Sequence, residues 1–93
     1  MDVVGQAVRE IVGRYAGIAP ENLNLNAVLE ELGIDSLDTS EIILEFEERL
    51  DLSIPDEDRV FFSEGTVGTV IAHLHAELFG GRGPRRPERV SGG

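Results

Sequence analysis

Three stretches of this chain repeat apolar residues at intervals of three and four, and none sustains the every-second-residue alternation of a half-buried strand, which confines it to a helical bundle. In the first, Val4, Ala7, Val8, Ile11, Val12 and Tyr15 share a face, with Arg9, Glu10 and Arg14 between them and Gly17 as the stop. The second begins at Asp35 or Ser36, either of which can cap it, and runs to about Leu50, with Arg49 where the helix dipole favours a cation. A polar turn through Pro55 follows, then a short helical piece from Asp56 to Phe62. The last has Thr66 as a cap and Val67, Val70, Ile71, Leu74 and Leu78 as its stripe, up to Gly80 and Gly81. Between the first two helices, Pro20, three asparagines and Gly33 break the periodicity. Ile18, Leu23, Leu25, Val28, Leu29, Leu32 and Ile34 nevertheless predict that this loop packs on the core. The expectation is an all-α bundle of three to four helices over residues 1–79, with a long loop between helices one and two and a disordered Gly/Pro/Arg-rich tail over 80–93.

A chain of 93 residues has room for one small core and too little interior for a deep catalytic cleft. It has no cysteine, so neither a disulfide nor a thiolate metal site stabilises it and apolar packing must. No signal-like start and no membrane-length apolar run is present, so a soluble, cytoplasmic monomer is expected. The formal net charge is -10, while four of the eight arginines (Arg82, Arg85, Arg86, Arg89) crowd into the tail. Such a field repels nucleic acid and anionic membranes and attracts protein surfaces rich in Arg or Lys.

The second helix has two faces of different logic. At about 100° per residue, Thr39, Ile42, Ile43, Phe46 and Leu50 form one stripe sufficient to face the core. Opposite lie Leu37, Glu41, Leu44 and Glu48, flanked by Asp38, Glu45 and Glu47. Like charges at Asp38, Glu41, Glu45 and Glu48 each disfavour the helix by about 0.2–0.5 kcal/mol, and exposed leucines gain nothing from folding. A face that opposes its own fold is a candidate for partner binding. A solvated charged face would carry the same residues, and what separates the two readings is Ser36, a hydroxyl at the positive end of the same helix.

The run LGIDSLDTSEIILEFEERLDLSIPDED, from Leu32 to Asp58, resembles the acyl carrier proteins of fatty-acid and polyketide biosynthesis. Asp35-Ser36-Leu37 is the centre of the match, supported by Leu32-Gly33 before it, the acidic helix after it and the Ile54-Pro55-Asp56-Glu57 turn. The resemblance extends over roughly residues 3–79. It implies that Ser36 accepts 4'-phosphopantetheine from coenzyme A through a separate phosphopantetheinyl transferase, and that the thiol of this arm carries acyl groups. It further implies that Asp35, Leu37, Asp38, Glu41, Leu44, Glu45, Glu47 and Glu48 meet the basic surfaces of that transferase, of an acyltransferase or acyl-loading ligase, and of ketosynthases and other acyl-processing enzymes. Ile54, Val60, Phe61 and Phe62 are the candidate contacts for the acyl chain. The bulky Phe61-Phe62 pair, the Ser63-Glu64-Gly65 segment and the basic tail depart from the fatty-acid pattern and favour a discrete carrier for a polyketide, an antibiotic or another specialised product.

Other readings weigh less. Ser36, Asp35 and a histidine do not form a hydrolytic triad, because Ser and Asp are adjacent and no glycine-framed elbow surrounds the hydroxyl. His73 and His75 are two residues apart on a helix, point in different directions and read as surface or boundary residues. The Asp56-Glu57-Asp58 run lacks the ordered spacing of a calcium loop, so no metal site is assigned. A carrier of amino or aryl acids in nonribosomal peptide assembly, or an unmodified acidic adaptor, remains as an alternative.

Overall fold

The computed structural model describes residues 2–79, and the tail expected to be disordered lies outside them. Four helices make the bundle: α1 (Val3–Ala16), α2 (Ser36–Leu50), α3 (Arg59–Glu64) and α4 (Val67–Phe79). The short helical piece expected from Asp56 is a 3-10 turn, Asp56–Asp58, that continues into α3. No helix is long and apolar enough to cross a membrane among the described residues.

Local chemistry sets the helix ends. Asp2 caps α1 by accepting the Gly5 N–H at 3.0 Å, and Gly17 closes it at φ 72°, a left-handed conformation that glycine enters without a Cβ clash. Thr66 Oγ1 accepts the Thr69 N–H at 3.1 Å at the start of α4. The long loop is tied down rather than free. The N–H groups of Val67 and Gly68 donate to the carbonyls of Ala27 and Leu25 at 2.9 and 2.8 Å, and Leu23, Leu29 and Ile34 are buried beneath it. Leu25, counted among its apolar residues, lies at the surface instead, because its carbonyl rather than its side chain anchors the loop.

The core sits where α1 meets α2 and α4, with α3 laid against α2 and the 3-10 turn Leu29–Leu32. All five residues of the α2 stripe (Thr39, Ile42, Ile43, Phe46, Leu50) are buried. Thr39, the one polar member, satisfies its hydroxyl by donating to the Asp35 carbonyl at 2.9 Å, so its burial leaves no unpaired group. Phe46 of α2 meets Phe62 of α3 edge to face, with centroids 6.0 Å apart and planes at 88°, and both rings are fully buried. This pair holds the six-residue α3, too short to persist alone, against α2.

Candidate functional site

The site is built around the start of α2. Asp35 is the cap: its carboxylate accepts the Asp38 N–H at 2.9 Å, and its carbonyl accepts the Thr39 N–H at 2.9 Å. Ser36 is therefore the first residue of the helix and not its cap. It is exposed, and its N–H and that of Leu37 have no acceptor within the helix by position. A 15-residue helix thus aims its positive end and two free amides at the space around the Ser36 hydroxyl.

Two open depressions meet at Ser36 and share Thr39 and Ser63. One passes between the loop and α3, lined by Glu30, Gly33, Ile34, Asp35 and Glu64; the other runs between α2 and α3, lined by Ser40, Asp56, Arg59 and Val60. Their walls combine apolar surface with several polar side chains. Arg59 reaches across the second groove to donate to Ser40 Oγ, and Ser40 Oγ in turn donates to the Ser36 carbonyl at 3.2 Å. Among the described residues Arg59 shares a groove lining with Ser36, whereas Arg14 pairs with Glu45, Arg49 with Glu10, and Arg9 donates to the Pro20 carbonyl elsewhere. A phosphodiester on Ser36 fits this place: the amides and Arg59 favour the anion, while Asp35 and Asp38 oppose it.

The acidic residues of α2 divide into two groups. Leu37 and Leu44 are 69% and 58% exposed, and Glu41 and Glu48 are exposed beside them, with Asp38 half-buried at the start of the same face. Glu45 and Glu47 bond to neighbouring segments, and Glu41 Oε1 lies 3.4 Å from the Tyr15 hydroxyl in a longer contact. Glu45 accepts from Arg14 and from the Tyr15 hydroxyl at 2.9 Å, tying α2 to α1. That carboxylate, with burial and the charge of Glu41 adding to it, pushes the Tyr15 phenol up to about 12. Glu47 accepts the Ile54 N–H at 2.7 Å and so shapes the turn after α2. Glu10, across the α1–α2 seam, is held below the ordinary carboxylate range by its bonds from Arg49 and Gln6.

The four apolar residues named as acyl-chain contacts do not converge. Val60 borders the groove beside Ser36, Phe61 meets the His73 ring edge to face with centroids 4.5 Å apart, and Ile54 and Phe62 are buried in the core. Arg59 escaped the sequence reading, because a single arginine on a short helix carries no periodic signal that would aim it at Ser36. His73 and His75 diverge as their spacing requires, His73 toward Asp58 at 2.9 Å and His75 toward Asp2 at 3.5 Å.

Comparison with protein families matches residues 6–74 to the model described as "Phosphopantetheine attachment site". The match spans most of α1 through most of α4 and includes the whole of α2 with Ser36 at its start. An all-α bundle that presents an exposed serine at a helix N-terminus, matched over most of its length, belongs to the phosphopantetheine attachment family of carrier proteins, whose prosthetic group is 4'-phosphopantetheine.

Proposed function

We propose that the protein carries acyl intermediates as thioesters on an arm attached at Ser36 and presents them to partner enzymes through the exposed face of α2. One observation carries this reading: an exposed hydroxyl at the first position of a helix whose outward side offers two leucines among carboxylates. Attachment forms a phosphodiester between Ser36 Oγ and the pantetheine phosphate of coenzyme A and releases the adenosine bisphosphate half. The hydroxyl proton passes to a base that a separate transferase supplies. The docking face is Leu37, Asp38, Glu41, Leu44 and Glu48. Glu45 and Glu47 contribute to it chiefly by holding α2 in place, since their carboxylates already have partners within the fold.

The cargo is an oxygenated acyl chain of polyketide or related specialised biosynthesis rather than a long saturated one. Support comes from the grooves at Ser36, whose walls carry Ser40, Asp56, Arg59, Ser63 and Glu64, and from Phe62, which fills the core behind them. The polar side chains on these walls can pair with the carbonyl and hydroxyl groups of such a chain, which a saturated chain lacks.

Intact-protein mass spectrometry after incubation with coenzyme A and a broad-specificity phosphopantetheinyl transferase tests the attachment. One added arm is expected, absent in Ser36→Ala. No added mass on a folded sample would reduce Ser36 to an ordinary first-turn residue and leave an acidic adaptor as the function.

A further inference from the structure

Where the 3-10 turn Asp56–Asp58 meets α4, Asp58, His73 and Glu77 bring one ligand atom each to within 4.8 Å of the others. His73 Nε2 lies 2.9 Å from Asp58 Oδ2 and 3.8 Å from Glu77 Oε2. We propose that these three residues form a binding site for a divalent transition-metal ion of the Zn2+ type, joining the 3-10 turn that leads into α3 to α4. Metal–ligand bonds of about 2.0–2.2 Å in a tetrahedron set ligand atoms roughly 3.3 Å apart, and the two His73 distances fall on either side of that value. Three protein ligands leave a fourth position for water, and the partial exposure of the three side chains (22%, 22% and 34%) keeps that position open.

The electrostatics call for a cation at this point. His73 Nε2 can pair with one carboxylate, and Asp58 is within hydrogen-bonding range. Glu77 at 3.8 Å is beyond that range, so among the described residues a second carboxylate stands beside the first with this one imidazole between them. A divalent ion bound at the Nε2 lone pair neutralises both carboxylates at once and moves the ring proton to Nδ1. His73 and Glu77 are one turn apart on α4, a spacing that stacks their side chains on the same face. The ring is already held: Phe61 and Phe62 contact it edge-on, with centroids 4.5 and 5.6 Å away. An oriented ligand loses little freedom on binding, and an imidazole donor favours Zn2+ over the Mg2+ that exposed carboxylates attract.

This site was not legible in the chain, where the Asp56-Glu57-Asp58 run and the two histidines each fail as ligand sets alone. Tertiary packing supplies the third ligand. The consequence reaches Ser36, because α3 carries Arg59, Val60 and Ser63 into the neighbouring groove, and an ion that fastens Asp58 to α4 stiffens that wall. Binding itself does not depend on whether Ser36 is modified.

Zn2+ titration by calorimetry into the full untagged chain, with excess Mg2+ present to occupy exposed carboxylates, tests the proposal. The expected result is one ion per chain and a raised melting temperature. Affinity should fall about tenfold or more in His73→Ala, fall several-fold in Glu77→Gln, and stay unchanged in His75→Ala. Glu77→Gln keeps the side-chain shape and so reads the ligand without risk to the fold. No binding, or binding of several ions that survives both His73→Ala and Glu77→Gln, overturns the site.

Discussion

Leu37→Gln separates docking from folding at a single position. The residue is 69% exposed and contributes no core contact, and Gln has nearly the helix propensity of Leu, so the folded state should change by less than about 0.5 kcal/mol. A partner that covers Leu37 gains what the fold leaves in water. Complete burial of a leucine contributes about 1.5–3 kcal/mol, and the exposed 69% leaves roughly 1–2 kcal/mol of that to the partner. At about 1.4 kcal/mol per factor of ten, kcat/KM for modification of Ser36 should fall roughly 5- to 30-fold. The assay is the rate of arm transfer from coenzyme A by a phosphopantetheinyl transferase, measured beside the urea midpoint of the same sample. An unchanged rate, or a lost rate accompanied by a comparable loss of stability, would refute the claim that this leucine is kept outside for a partner.

Two further outcomes follow from the geometry. Phe62→Ala removes a fully buried ring from its edge-on contact with Phe46 and should cost about 3–5 kcal/mol, a large part of the roughly 4–12 kcal/mol expected of a domain this size. Phe61→Ala, at a ring 42% exposed, should cost much less, and equal shifts of the urea midpoint in the two variants would contradict the assignment of Phe62 as the anchor of α3. Tyr15 is the one tyrosine of the chain, so tyrosinate absorbance reports it alone. Its phenol is raised to about 12 in the folded protein. Its contribution to stability is therefore fully present below the usual tyrosine pKa of about 10 and is lost as pH rises through about 12. Glu45→Gln should bring the titration down, and a native midpoint near the unperturbed value would disprove the Tyr15–Glu45 bond.

What could be read from the chain alone is what depends on neighbours within one helical turn. The α2 stripe from Thr39 to Leu50 was legible because burial of one helix face imposes a spacing on the sequence, and the position of Ser36 at a helix start was legible because capping by Asp35 acts over three residues. The outward face was visible for the same reason: Leu37 and Leu44 fall off the stripe whatever lies around them. The resemblance to acyl carrier proteins added the chemistry of the hydroxyl, which no periodicity contains. Tertiary structure decided which carboxylates remain available, since Glu45 is claimed by Tyr15, 30 residues away, and Glu47 by the turn at Ile54. It also decided that Gly13 cannot carry a side chain, because a Cβ there would lie 2.5 Å from the Ile18 carbonyl oxygen where the loop turns back over α1. The meeting of Asp58 with His73 and Glu77, and the reach of Arg59 toward Ser40, belong to the same class. Contacts between segments leave no fixed spacing in a sequence, because their partners are set by how helices pack and not by the repeat of any one of them.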